Sequence, residues 1–137
     1  MARLYAGYFL LMSGTTKIER GYLFGGDLLP QLQRFVSGTP PEWYKAWLVQ
    51  VVIPHERLFA VLTAVGETLV GTALVLGALT RLSAVAGIFM VANYLLAKGW
   101  GNPAASLDKT FIVLLLVVLL GGAGEHWGID GWRRRKR

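Results

Sequence analysis

Glu67 is the only ionisable residue in the 22-residue apolar run from Leu58 to Leu79. As a helix rising 1.5 Å per residue, that run spans roughly 33 Å, close to the thickness of a bilayer's hydrocarbon core. A carboxyl at mid-depth is costly unless it is protonated, paired or turned into an internal cavity, so such residues mark proton paths, ligand sites or helix contacts. Ala60, Thr63, Ala64, Glu67 and Gly71 are spaced by three and four. They form one stripe of small side chains around the acid, of the kind that lets helices approach closely. Glu67 is therefore expected to face neighbouring helices. Counting residues from the ends of the apolar runs brings Asn93 and Ser13 to about the same depth, with Lys17 one turn farther out. A carboxyl and an ammonium can hold and pass a proton, which makes Glu67 and Lys17 the candidate proton-handling pair. Ser13, Asn93 and Glu67 could hold the polar head of a ligand. The alternative is that Glu67 only bonds a neighbouring helix and fixes its register.

Trp43 and Trp47 stand one helical turn apart, in line with Val51, and could wall a site for a ring-shaped ligand. All five tryptophans (43, 47, 100, 127 and 132) also fall near the ends of apolar runs, where an aromatic belt anchors a membrane protein. His55 and His126 flank opposite ends of the apolar region, about a membrane thickness apart, so they cannot ligate one haem together. The chain has no cysteine, which removes thiolate and iron–sulfur ligation. No metal or haem site is expected.

These residues have to be positioned by apolar helices. Of 137 residues, 54% are hydrophobic and 16% charged, and mean hydropathy is +0.48. Soluble domains carry more charge, so the pattern predicts an all-α integral membrane protein of one domain: a four-helix bundle with an interfacial amphipathic helix between helices 1 and 2. The expected spans are about 3–22, 58–79, 82–100 and 109–124. Thr80 and Arg81 form a tight turn between the second and third, and Gly101-Asn102-Pro103 forms another turn before the fourth. The amphipathic helix is expected over 40–53, with Thr39 and Glu42 forming a capping box around the prolines and Pro54 ending it. The basic tail lies in 125–137. The net charge of +6 rests on 14 Lys and Arg against 8 Asp and Glu. Five of the basic residues form the run Arg133 to Arg137, beside the last span. A dense basic run there holds anionic headgroups on the cytoplasmic side, so both termini are expected there. No second basic stripe accompanies it, so nucleic acid is not an expected partner.

Four motifs in order then resemble one family. Arg3, Gly7 and Ser13-Gly14-x-x-Lys17 are similar to the opening of the DoxX/DoxD-like membrane proteins. The segment from Gly66-Glu67 through Thr80-Arg81-Leu82 is similar to that family's second motif, and Gly121-Gly122-Ala123-Gly124 through Ile129-Asp130 to its close. Pro41, Trp43 and Tyr44 resemble the branch related to the small subunit of thiosulfate:quinone oxidoreductase. On this resemblance Arg3, Lys17, Glu67, Arg81 and Asp130 are the family-motif positions. The long insert with Trp43 and Trp47 departs from the shortest members, and His126-Trp127-Gly128 replaces smaller residues before Asp130. The resemblance implies a multi-pass protein of a bacterial or archaeal inner membrane, serving a redox complex as a quinone-interacting or partner-docking subunit. Its partners would be the bilayer and other subunits, or further copies of itself. Two other readings stay open: a non-catalytic assembly subunit, and a small-molecule transporter.

Overall fold

Runs of Leu, Val and Ala broken by Gly and Pro fold as helices wherever the breakers allow. The computed structural model describes residues 1–24, 28–121 and 128–135, and among these every regular element is helical. In chain order they are α1 (Ala2–Glu19), α2 (Leu28–Val36), α3 (Glu42–Trp47) continued by a π-helical segment (Leu48–Val52), α4 (Glu56–Leu76), α5 (Thr80–Lys98), a 3-10 turn (Pro103–Ala105) leading into α6 (Ser106–Leu120), and α7 (Ile129–Arg135). Three of the described segments are long and apolar enough to cross a membrane: Glu56–Leu76, Thr80–Lys98 and Pro103–Leu120. Helix α1, which carries Arg3, Lys17 and Glu19, is not among them.

Four helices close a ring, α1 on α4, α4 on α5, α5 on α6, and α6 back on α1. The tightest seam is α1 against α4. Gly7 lies by Gly71 and Val75 while Gly14 lies by Ala64 and Thr68, so the two helices run antiparallel. A β-carbon on Gly7 would fall 2.8 Å from the Val75 amide nitrogen, and one on Gly71 would collide with the backbone of Leu11. Backbone meets backbone here, and packing of this kind holds helices together where lipid offers no hydrophobic drive. Below the middle of the ring, Ala6, Leu10, Leu74, Ala84, Leu115 and Val118 form one core. At the other end Leu28, Leu32, Tyr44, Leu48, Val52 and Ala64 form a second, in which α2, α3 and the π-segment cover the ends of α4 and α5.

The ends of the elements depart from the expected ones for local reasons. Helix α1 stops at Glu19, short of 22. Helix α4 stops at Leu76 because Gly77 takes the left-handed conformation, φ 67°, and closes the helix as a C-terminal cap. Leu79 follows at φ 49° and leads into α5. Helix α6 ends at Leu120, and residues 122–127, with Glu125, His126 and Trp127, lie outside the described part, as do 136 and 137. The expected capping box is absent. Helix α3 starts at Glu42 after Pro41, no side chain caps it, and the Pro41 carbonyl accepts its first bond from the Lys45 amide at 2.9 Å. The two prolines set the entry by their fixed φ, so Thr39 lies too far upstream to cap. Helix α2 is an element that the apolar runs did not announce.

The face of α3 is also rotated by one position. The sequence pointed to Trp43, Trp47 and Val51. The residues buried are Tyr44, Leu48 and Val52, whereas Trp43 and Val51 are exposed and Trp47 is half-buried. The tighter packing of Tyr44 against α5 decides the rotation, and the π-segment carries the same face onward.

Candidate functional site

Glu67 lies in the middle of α4 on the stripe that also buries Ala60, Ala64, Gly71 and Leu74. It is 1% exposed. Lys17 reaches it from the last turn of α1. The Lys17 ammonium pairs with Oε2 of Glu67 and donates a second bond to Oγ of Ser13 at 2.9 Å. The Tyr94 hydroxyl of α5 donates to the other oxygen, Oε1, at 2.8 Å. The same ammonium also stands 5.2 Å from the centre of the Tyr94 ring, a cation–π contact that adds to the pair. Three helices thus meet on one carboxylate, and both of its oxygens are satisfied. A buried charge is tolerated on those terms.

Asn93 is not in that cluster. One residue on a helix is a turn of about 100°, and it carries Asn93 to the covered side of α5 while Tyr94 turns toward Glu67. The Asn93 amide nitrogen donates to the Phe89 carbonyl at 2.7 Å. Its side-chain and backbone oxygens both accept from the Tyr44 hydroxyl, each at 3.1 Å. Burial pushes the Tyr44 phenol up to about 12, because the charged form would lose its water there.

Between these two groups lies a cavity of about 300 Å³. Helices α2 and α3 roof it with Leu32, Phe35 and Trp47, while α4 and α5 wall it with Phe59, Phe89 and Met90. The lining is apolar and aromatic except where Tyr44, Asn93, Tyr94 and Thr63 reach it. Tyr94 therefore touches both the cavity and Glu67. Trp47 lines the space, whereas Trp43 is 65% exposed and packs edge to face with the Tyr44 ring, centroids 5.4 Å apart. An apolar pocket with a few convergent polar groups is the usual form of a small-molecule site.

The family-motif positions divide between two places. Lys17 and Glu67 are in the cluster just described. Arg3, Arg81 and Asp130 lie at the opposite end, around the α4–α5 turn. Asp130, on α7, accepts from the amides of Leu79 at 3.0 Å and Thr80 at 2.9 Å, so a carboxylate from the far end of the chain caps α5. Arg3 is 7% exposed, and its guanidinium occupies the space a β-carbon on Gly77 would need. Arg81 is exposed. His55 lies at the surface just before α4, its Nδ1 3.0 Å from the Val51 carbonyl. Among the described residues, no three His, Asp or Glu side chains gather as a metal site would require.

Tyr94 escaped the reading of the sequence, and Tyr44 entered it only as part of a family resemblance, not as a residue of the site. The available signal was the dipeptide Asn93-Tyr94, level with Glu67 across a tight hairpin, where a long phenol reaches the carboxylate better than a short amide.

A family model described as DoxX matches residues 1–100. No curated protein and no solved structure matches the chain.

Proposed function

The chain belongs to the DoxX family, and on that premise we propose that this multi-pass membrane protein is the quinone-interacting subunit of an oxidoreductase complex. In this reading α1 is a fourth span, stabilised by its seam with α4, and α2 and α3 lie in the interface as a cover. Both termini are then cytoplasmic, in the inner membrane. The observation that carries the proposal is the double role of Tyr94, whose ring lines the aromatic cavity while its hydroxyl binds Glu67.

A quinone supplies two-electron chemistry, becoming a quinol as it takes up two electrons and two protons, with the electrons coming from a reduced donor on a partner subunit. This chain's part is to hold the ring and deliver protons. Trp47, Phe59 and Phe89 offer faces for an apolar ring. The Tyr94 hydroxyl turns from Glu67 to a ring oxygen and gives up its proton there; the Glu67 carboxylate then takes a proton from the Lys17 ammonium and passes it to the Tyr94 phenolate, water reprotonates Lys17, and a second passage supplies the second proton. Lys17, with 15% of its side chain exposed against 2% for Glu67, is the member of the relay nearest to water. Ser13 holds the ammonium in place from the same helix.

The test is quinone-dependent turnover of the purified complex, with Tyr94→Phe and Glu67→Gln. A positioned acid–base group is worth about 10²–10⁴-fold in rate, so both variants should fall by at least the lower figure while quinone still copurifies. Turnover at the wild-type level in both would remove the proton role.

A second reading has its own support. The Lys17–Glu67 pair joins the same two helices that pack through Gly7, Gly14 and Gly71. An assembly subunit would use it only to fix α1 on α4, and Glu67→Gln would then change detergent stability or partner retention without touching turnover.

A further inference from the structure

The residues around the cavity do not share one environment. Its roof is closed, with Leu28 at 8%, Leu32 at 4%, Leu48 at 2% and Val52 at 3% exposed. Two lining residues are open instead: Leu62 of α4 at 56% and Phe89 of α5 at 70%. Both helices are among those long and apolar enough to span a membrane. Around the two residues the flank stays apolar, with Leu58, Val65 and Val85 also exposed. A gap bordered by such side chains within a span faces acyl chains, since water has no place at that depth.

We infer that the cavity is loaded sideways from the bilayer, through a mouth between Leu62 and Phe89, and that its ligand is a prenyl- or alkyl-tailed ring compound. The head lies inside against Tyr94 and Asn93, and the tail stays in the lipid. The inference rests on the quinone reading and adds to it the route and the tail. Size supports the division of the ligand. At about 300 Å³ the space is at the lower end of ligand cavities, enough for a ring system and too small for a long chain. Polarity supports it too: Tyr44, Asn93 and Tyr94 supply the hydroxyl and amide groups inside, while the mouth is wholly apolar. A tail left among acyl chains loses no contacts with lipid on binding, whereas a roof entry would have to part α2 from α3.

The experiment compares two probes, a tailless naphthoquinone and the same ring with a decyl chain. The protein is held in lipid nanodiscs, and in each variant binding is read as quenching of the fluorescence that is lost when Trp47→Phe is added to that same variant. Probe concentrations are those in the lipid. Leu62→Trp narrows the mouth without touching the roof. It should weaken the decyl probe by about tenfold or more, the scale of an overpacked contact, and leave the tailless ring within about twofold. Leu62→Ala widens the mouth without touching a ring contact and should speed release of both probes. Equal weakening of both probes by Leu62→Trp, or of neither, overturns the lateral mouth while leaving the ring site standing. Failure of both probes to quench the wild-type protein overturns the quinone reading and the mouth together.

Discussion

The Lys17 ammonium and the Glu67 carboxylate form an ion pair across the α1–α4 seam, at the level where Gly14 meets Ala64 and Thr68. The pair sits on the seam where backbone packs against backbone, so charge and packing depend on each other. Lys17→Met leaves Glu67 buried without its cation. Breaking such a pair costs about 3–5 kcal/mol, whereas replacing both members by apolar residues is often close to neutral. Thermal unfolding in detergent should therefore show Lys17→Met well below wild type and Lys17→Met with Glu67→Leu largely restored. A single variant as stable as the double one would mean that the pair contributes nothing to packing.

Gly71→Ala and Gly66→Ala form a controlled comparison on one helix. A β-carbon at 71 meets the backbone of Leu11, which cannot yield. At 66 it meets the end of the Met90 side chain at 3.2 Å, and a methionine can swing away. Gly71→Ala should destabilise by about 1–3 kcal/mol, as overpacked cores do, and should loosen the contact between Lys17 and Glu67. Gly66→Ala should lie near wild type in the same unfolding assay. Equal effects at both positions would argue against a seam set by backbone contact.

Asp130→Ala removes the cap of α5 supplied by α7. Loss of a cap costs typically about 1 kcal/mol. Hydrogen exchange should quicken at the Leu79 and Thr80 amides, which Asp130 now holds, and stay unchanged at the middle of α5. Unaltered protection at these two amides would show that the carboxylate is dispensable there.

Tyr44 gives a pH dependence with a definite sign. Its folded value, about 12, lies above the ordinary 10, so the folded state holds the phenolic proton more tightly than the unfolded one. The resulting stability is complete below pH about 10 and is lost as pH rises toward about 12. Tyr44→Phe should therefore lose less stability than wild type over that window, and the alkaline absorbance difference between the two proteins should show one phenol titrating near the upper limit. A Tyr44 midpoint near 10 would mean that the cover is open to water.

Depth along a helix was legible in the sequence, and rotation about it was not. Rise per residue was enough to bring Ser13 to the depth of Glu67, with Lys17 one turn farther out, because it does not depend on packing. Whether Asn93 or Tyr94 turns to Glu67 is a matter of one position, about 100°, and is settled by which side chain spans the gap. Trp43 and Trp47 were read on the inward face for the same reason, yet Tyr44, Leu48 and Val52 are the residues that pack there. Helix α2 was missed because nine residues with Pro30 among them make no long apolar run; only the four-residue spacing of Leu28 and Leu32, with Gln31, Gln33 and Arg34 beside Leu32, signals it. Asp130 as the cap of α5 joins positions 50 residues apart, and no local pattern announces such a bond.

The distance in sequence between Lys17 and Glu67 also bears on biosynthesis. Fifty residues separate the two charges, so α1 leaves the ribosome as a cationic segment whose counterion has not yet been translated. Until α4 arrives, that segment is too polar to rest alone in lipid. On the proposed reading of α1 as a fourth span, its place in the membrane is secured late and from downstream, and the order in which the helices are made differs from the order in which they become anchored.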